Sequence, residues 1–171
     1  MGEISFDERS STWLLRMARS SYGIALAGER RLPRHLYWGR SLDHEALSEI
    51  DTDAERSGWG QEEPLEYVAW GGLRYDEPSL KVEYADGTRA TEWELIDSDV
   101  RREDGASTLV LVLADLAYPL RAELCYRFFD GSDVLERWVK LVNVGEAGTI
   151  VLRQACSANW WMPERGSWRL T

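Results

Sequence analysis

The chain has 171 residues, with 30 acidic against 20 basic side chains and a formal charge of −10. That length holds one domain with its own core, and the acidic excess argues against nucleic-acid phosphates or an anionic membrane surface as partners. Nine Trp and seven Tyr make a heavy aromatic load, suited to a sandwich core or to contacts with sugars and proteins.

No stretch reaches the length of a membrane span. Residues 1–6 have neither the basic region nor the apolar run of a signal peptide. Cys125 and Cys156 give no disulfide framework and no zinc spacing; spacing alone does not support a bridge, and free thiols in the cytoplasm are the expectation.

In chain order, Trp13 to Met17 and Tyr22 to Leu26 read as short strands. Residues 27–31 form a hairpin loop in which Gly28 turns the chain. Leu32 to Trp38 is the next strand, begun at a sheet edge by Pro33 and ended by Gly39. Strict alternation places Leu32, Arg34, Leu36 and Trp38 on one face, with His35 and Tyr37 on the other. Arg40 to Pro64 is a long polar segment, with a turn or two of helix over residues 44–50. Loops of that length inside a compact domain are usually functional or disordered.

Residues 66–80 are the hinge of the sequence. Gly71 and Gly72 permit positive φ or close backbone approach. Pro78 extends the residue before it. Arg74 and Asp76 share a face in an extended chain, and a structural corner is the plainer reading of them.

Beyond the hinge the alternation is regular. Leu80, Val82 and Tyr84 oppose Lys81 and Glu83, and Asp86-Gly87 is a hairpin-turn signal. Thr91 to Val100 is extended, and Asp104-Gly105 turns again. Thr108 to Leu113 is continuously apolar and reads as buried on both faces. In Leu120 to Phe129, Leu120, Ala122, Leu124, Tyr126 and Phe128 oppose Arg121, Glu123, Cys125 and Arg127. After a turn at residues 130–132 come Val134 to Asn143 and Thr149 to Trp161, joined through Gly145 and Gly148. Roughly ten strands with short turns predict an all-β antiparallel sandwich.

The chemistry-bearing residues are sparse. His35 and His44 read as structural or surface histidines. No serine or cysteine sits in a nucleophile elbow, and no glycine loop precedes a helix to cradle phosphate. Asp51-Thr52-Asp53 starts like a calcium loop, but the glycine and final glutamate are out of place. No metal cluster and no cofactor motif is present, and no carboxylate pair has the environment that glycoside hydrolysis requires.

Several pieces line up in order: Ser21-Tyr22, Leu32-Pro33-Arg34-His35-Leu36-Tyr37-Trp38-Gly39, then Glu66-Tyr67, Trp70-Gly71-Gly72 and Pro78. Thr108-Leu109, Leu113-Ala114-Asp115, Leu124-Cys125-Tyr126, Glu136-Arg137 and Val142-Asn143-Val144-Gly145 follow. Ser157-Ala158-Asn159-Trp160-Trp161-Met162-Pro163 closes the set. Together they resemble the N-terminal domain of glycoside hydrolase family 36, the bacterial α-galactosidases, over about the whole chain. The resemblance implies that residues 1–171 form a single antiparallel β-supersandwich of the galactose-mutarotase-like kind, placed before a catalytic (β/α)-barrel that carries both catalytic aspartates.

No catalytic residue is therefore carried over. The expected function is that of a non-catalytic domain in an enzyme that hydrolyses terminal α-D-galactosyl residues. It would pack on its own barrel, aid homo-oligomer formation and border the substrate pocket. In tetrameric members the loop before the hinge reaches a neighbouring subunit's active site. Side-chain chemistry selects Asp53, Arg56 and Trp59 there, as hydroxyl acceptor, hydroxyl donor and stacking ring for an α-galactoside. Two departures stand out: that loop is shorter than in well-known members, and the order Arg74-Tyr75-Asp76 reverses the charges usual before the proline. The alternative is a stand-alone carbohydrate-binding or protein-interaction sandwich.

Overall fold

The computed structural model describes residues 2–50, 64–71, 77–146 and 148–159. Strands β1 (Glu3–Asp7), β2 (Thr12–Arg16), β3 (Ser20–Ala27) and β4 (Leu32–Arg40) form an antiparallel meander in that order. A short helix, α1 (His44–Ser48), follows, its first turn capped by the Asp43 carboxylate, which accepts from Ala46 N at 2.9 Å. Strand β5 (Leu80–Glu83) comes next. A second meander runs through β6 (Trp93–Glu103), β7 (Ala106–Asp115), β8 (Leu120–Phe129) and β9 (Leu135–Asn143). Strand β10 (Val151–Ala155) returns to pair antiparallel with β5.

The two four-stranded sheets share one core. Leu15, Tyr22 and Ile24 from the first meet Leu111, Leu124, Tyr126 and Phe128 from the second, and Leu80 and Val82 fill in from β5. Burying each large apolar side chain contributes about 1.5–3 kcal/mol, so this interior is the main force holding the sheets together. The alternation predicted for β8 is observed residue for residue: its five inward side chains, Leu120, Ala122, Leu124, Tyr126 and Phe128, are at most 2% exposed.

Four local expectations need correction. In β4 the ladder to β3 passes from Tyr37 to His35 and skips Leu36. This bulge resets the alternation, so His35 and Trp38, three apart, both lie against Tyr22. The Asp86-Gly87 turn forms, with Gly87 N bonded to Tyr84 O at 2.9 Å, but joins no hairpin, because β5 pairs with β10. In β7, Leu109, Leu111 and Leu113 are buried on one face; on the other Val110 is buried too, but Thr108 and Val112 are half-exposed. Of the last expected strand, 149–161, the described residues are regular over β10 alone, and 160–161 lie outside them. Strand β1 carried no sequence signal strong enough to be read.

The hinge stitches the sheets together. Glu66 N–H donates to Pro33 O at 2.9 Å and His35 N–H to Pro64 O at 2.7 Å, so residues 64–66 cover the edge that Pro33 opens. Farther on, Trp70 N–H reaches Leu80 O at 3.0 Å and Thr91 N–H reaches Trp70 O at 2.9 Å. Gly71 lies at φ 134, and a Cβ there would stand 3.1 Å from the Ala90 Cα. Positive φ and close approach, both expected of this glycine, coincide. Gly71→Ala is expected to cost about 1–3 kcal/mol through backbone strain, read as a lowered urea midpoint with unchanged slope.

A second tie joins the sheets between the β2–β3 and β8–β9 connections. The Asp133 carboxylate accepts from Arg19 N at 2.7 Å, Ser20 N at 2.9 Å and Ser20 Oγ at 2.8 Å. The Arg19 backbone bond and the Ser20 hydroxyl bond hold its pKa down to about 2. A depressed folded pKa contributes stability that is full above the unfolded value and is lost as pH falls through about 2. Asp133→Asn is therefore expected to lower Tm near neutrality and flatten its acid limb, in a series of thermal melts from neutral to strongly acidic pH.

Candidate functional site

Asp53, Arg56 and Trp59 lie outside the described residues, as do Arg74 and Asp76. His44 is where a structural histidine belongs, with Nε2 2.9 Å from Ser5 Oγ. Cys125 and Cys156 are both free; burial pushes the Cys125 thiol pKa up. Among the described residues, no group of three or more His, Cys, Asp or Glu could hold a metal ion.

The concentration of polar chemistry is elsewhere, inside the hinge. Pairing with β4 turns the Glu66 side chain inward between the two sheets, where it is fully buried. Tyr22 of β3 donates its hydroxyl to Oε1 at 2.6 Å, and Tyr126 of β8 donates to Oε2 at 3.0 Å. Arg137 of β9 places Nη1 2.6 Å from Oε2, and its Nη2 donates to the Glu66 backbone carbonyl. The same guanidinium lies 4.9 Å over the ring of Tyr126, its register partner on β8. His35 closes the shell with Nδ1 3.3 Å from Oε1.

Burial works to raise the Glu66 pKa. The His35 hydrogen bond and the Arg137 charge outweigh it, so the carboxyl is held below its ordinary range. Burial likewise opposes the Arg137 cation, and the facing Tyr126 and Glu66 reverse that, raising its pKa. Burial first, then the Glu66 charge, drives both tyrosine hydroxyls upward, so they stay protonated donors. The result is an ionised carboxylate with four side chains around it, and Glu66 is the one buried acid among the described residues. Such a group is sealed from solvent and has no second carboxylate partner among the described residues. It ties four strands and the hinge to one point.

Sequence reasoning missed this cluster. Glu66 stood only as part of the hinge, and Arg137 only as part of the strand over 134–143; neither was given a role. The usable signal was the pair of tyrosines at inward positions of β3 and β8, since buried hydroxyls need partners.

A second feature is an open groove of about 460 Å³ on the outer face of the second sheet. The Arg127 guanidinium lies over the rings of Trp138 (5.1 Å) and Phe129 (5.5 Å). Arg127 pairs with Glu136 at 2.6 Å and Lys140 with Glu123 at 2.9 Å. Its charges already neutralise one another, which suits contact with another surface better than capture of an ion.

Fold and site define an all-β sandwich in which the one buried acid among the described residues is held in a structural knot. A family model described as the glycosyl hydrolase family 36 N-terminal domain matches residues 31–171, and the chain belongs to that family. Among solved structures, the galactosidase domain of the α-galactosidase–sucrose kinase AgaSK superposes with a TM-score of 0.77 at 22% identity, over 91% of this chain and 25% of that one. The α-galactosidase from Lactobacillus brevis gives 0.72 at 21% identity, over 90% and 24%. The family 36 α-galactosidase AgaB from Geobacillus stearothermophilus gives 0.71 at 20%, over 91% and 24%. The chain thus spans about a quarter of these structures' length. At such identities the likeness shows the fold. No curated protein sequence matches the chain.

The Glu66 knot makes a direct prediction. Glu66→Gln leaves a buried guanidinium without its counter-charge and is expected to cost about 3–5 kcal/mol. Arg137→Met should cost a similar amount. In urea unfolding, Glu66→Gln combined with Arg137→Met should cost less than the sum of the two single changes, because the second removal leaves no orphaned charge.

Proposed function

We propose that this chain is the non-catalytic N-terminal sandwich of an α-galactosidase that releases terminal α-D-galactosyl residues. It packs against its own catalytic barrel, supports a homo-oligomer and borders the substrate pocket. The observation that carries the reading is the family match over residues 31–171, and the superposition on proteins described as α-galactosidases supports it. The buried, fully engaged state of Glu66 accords with a division of labour in which bond cleavage belongs to a separate barrel domain. On this reading residues 40–64 lie at the pocket mouth, Asp53 and Arg56 hydrogen-bond sugar hydroxyls, and Trp59 stacks on a sugar face. The free thiols support a cytoplasmic setting.

The test has two parts. The purified 171-residue chain should not hydrolyse a chromogenic α-galactoside, and it should show no saturable binding of galactose, melibiose or raffinose. Turnover by the chain overturns the reading, and saturation favours a stand-alone binding module. In an enzyme carrying this domain together with its barrel, Trp59→Ala should raise KM for raffinose about tenfold, equivalent to roughly 1.4 kcal/mol of lost binding, with kcat nearly unchanged. Unchanged KM removes residues 40–64 from the pocket.

A further inference from the structure

Strand β6 is the outermost strand of the second sheet, with β7 as its neighbour. Its first residues are covered, since Leu95 N–H donates to Arg30 O at 3.0 Å. From Ile96 to Glu103 every residue is exposed. The two-residue turn at Asp104-Gly105, with φ 48 and 74, makes Glu103 and Ala106 a hydrogen-bonded pair. Alternation then points the N–H and C=O groups of Ser98, Val100 and Arg102 away from β7. Ser98 bears this out, because its own Asp97 carboxylate takes its N–H at 2.8 Å. Val100, 45% exposed, sits in the middle of this free edge.

We propose that β6 pairs antiparallel with β6 of a second copy of this chain, about a two-fold axis at Val100. The charge pattern selects both the partner and the register. With the axis at Val100, Asp99 of each copy lies opposite Arg101 of the other. Asp99 and Arg101 are already 2.7 Å apart within one copy, so signs alternate around a square of four side chains. Moving the axis one residue toward either end sets Asp99 against Asp99, or Arg101 against Arg101. On the opposite face Val100 meets its counterpart. Arg102 is held aside there by Asp130 at 3.0 Å and the Gly2 carbonyl at 3.4 Å. Asp97 and Glu103 meet as like charges at the ladder's ends, which keeps the seam short. The Asp97 carboxylate is a placeholder on Ser98 N–H, displaced when the backbone of the second copy arrives. Edge strands are templates for this kind of addition unless charge or cover prevents it.

This deepens the oligomer named under the proposed function and is independent of its sugar chemistry. Sedimentation of the chain over a wide concentration series should show a monomer–dimer equilibrium. Asp99→Arg and Arg101→Asp should each weaken it at least tenfold, and the double charge swap should restore it, since the square survives inversion. Amide exchange at Ser98, Val100 and Arg102 should slow as concentration rises. A wild-type chain that stays monomeric overturns the pairing, as does a dimer that both single variants leave intact. If a single variant fails to fold, exchange at those three amides in the wild type decides: rates independent of concentration overturn it. None of these failures touches the α-galactosidase reading, which stands or falls on turnover and sugar binding.

Discussion

A carboxylate sealed from water between two sheets is tolerable only when its charge is answered on the spot. Glu66 is answered by Arg137, Tyr22, Tyr126 and His35, drawn from β9, β3, β8 and β4. The rest of the architecture follows from that requirement. To bring Glu66 inside, residues 64–66 must lie along β4, and they do, through the Pro33 and His35 backbone bonds. To bring Arg137 inside, β9 must sit in register with β8 so that the cation covers Tyr126. The apolar core supplies most of the energy of folding, but it is non-directional and would accept small slides of one sheet over the other. The charged knot has one geometry, and Asp133 adds a second directional tie between the β2–β3 and β8–β9 connections.

Much of this was legible in the sequence, and the legible parts were local. Asp104-Gly105 announces a tight hairpin because the turn needs positive φ at both positions, and both residues adopt it. The period of two in β8 is clean because one face is core and the other is outer surface. Illegible features depend on contacts distant in sequence. β5 finds its partner in β10, about seventy residues later. The bulge at Leu36 is invisible to a strict alternation rule. Glu66 carries the same letter as the acids of the polar loop beside it. Only its inward neighbours, distant in sequence, tell it apart.

The same contrast holds for function. Family membership was readable from an ordered set of short pieces and stands on the match over residues 31–171. The buried acid is fully engaged in bonds between the sheets. What the sandwich offers outward is a groove of self-paired charges, an open β6 edge, and the hinge that follows residues 51–63.

The claim on which all of this turns is that Glu66 stays ionised inside the folded protein. A pH titration of its side-chain carboxyl carbon by NMR tests it directly. The account predicts an ionised chemical shift that holds, without an inflection, down to the pH at which the whole chain unfolds. An inflection in the ordinary glutamate range, about pH 4 to 5, with the sandwich still folded, would contradict it.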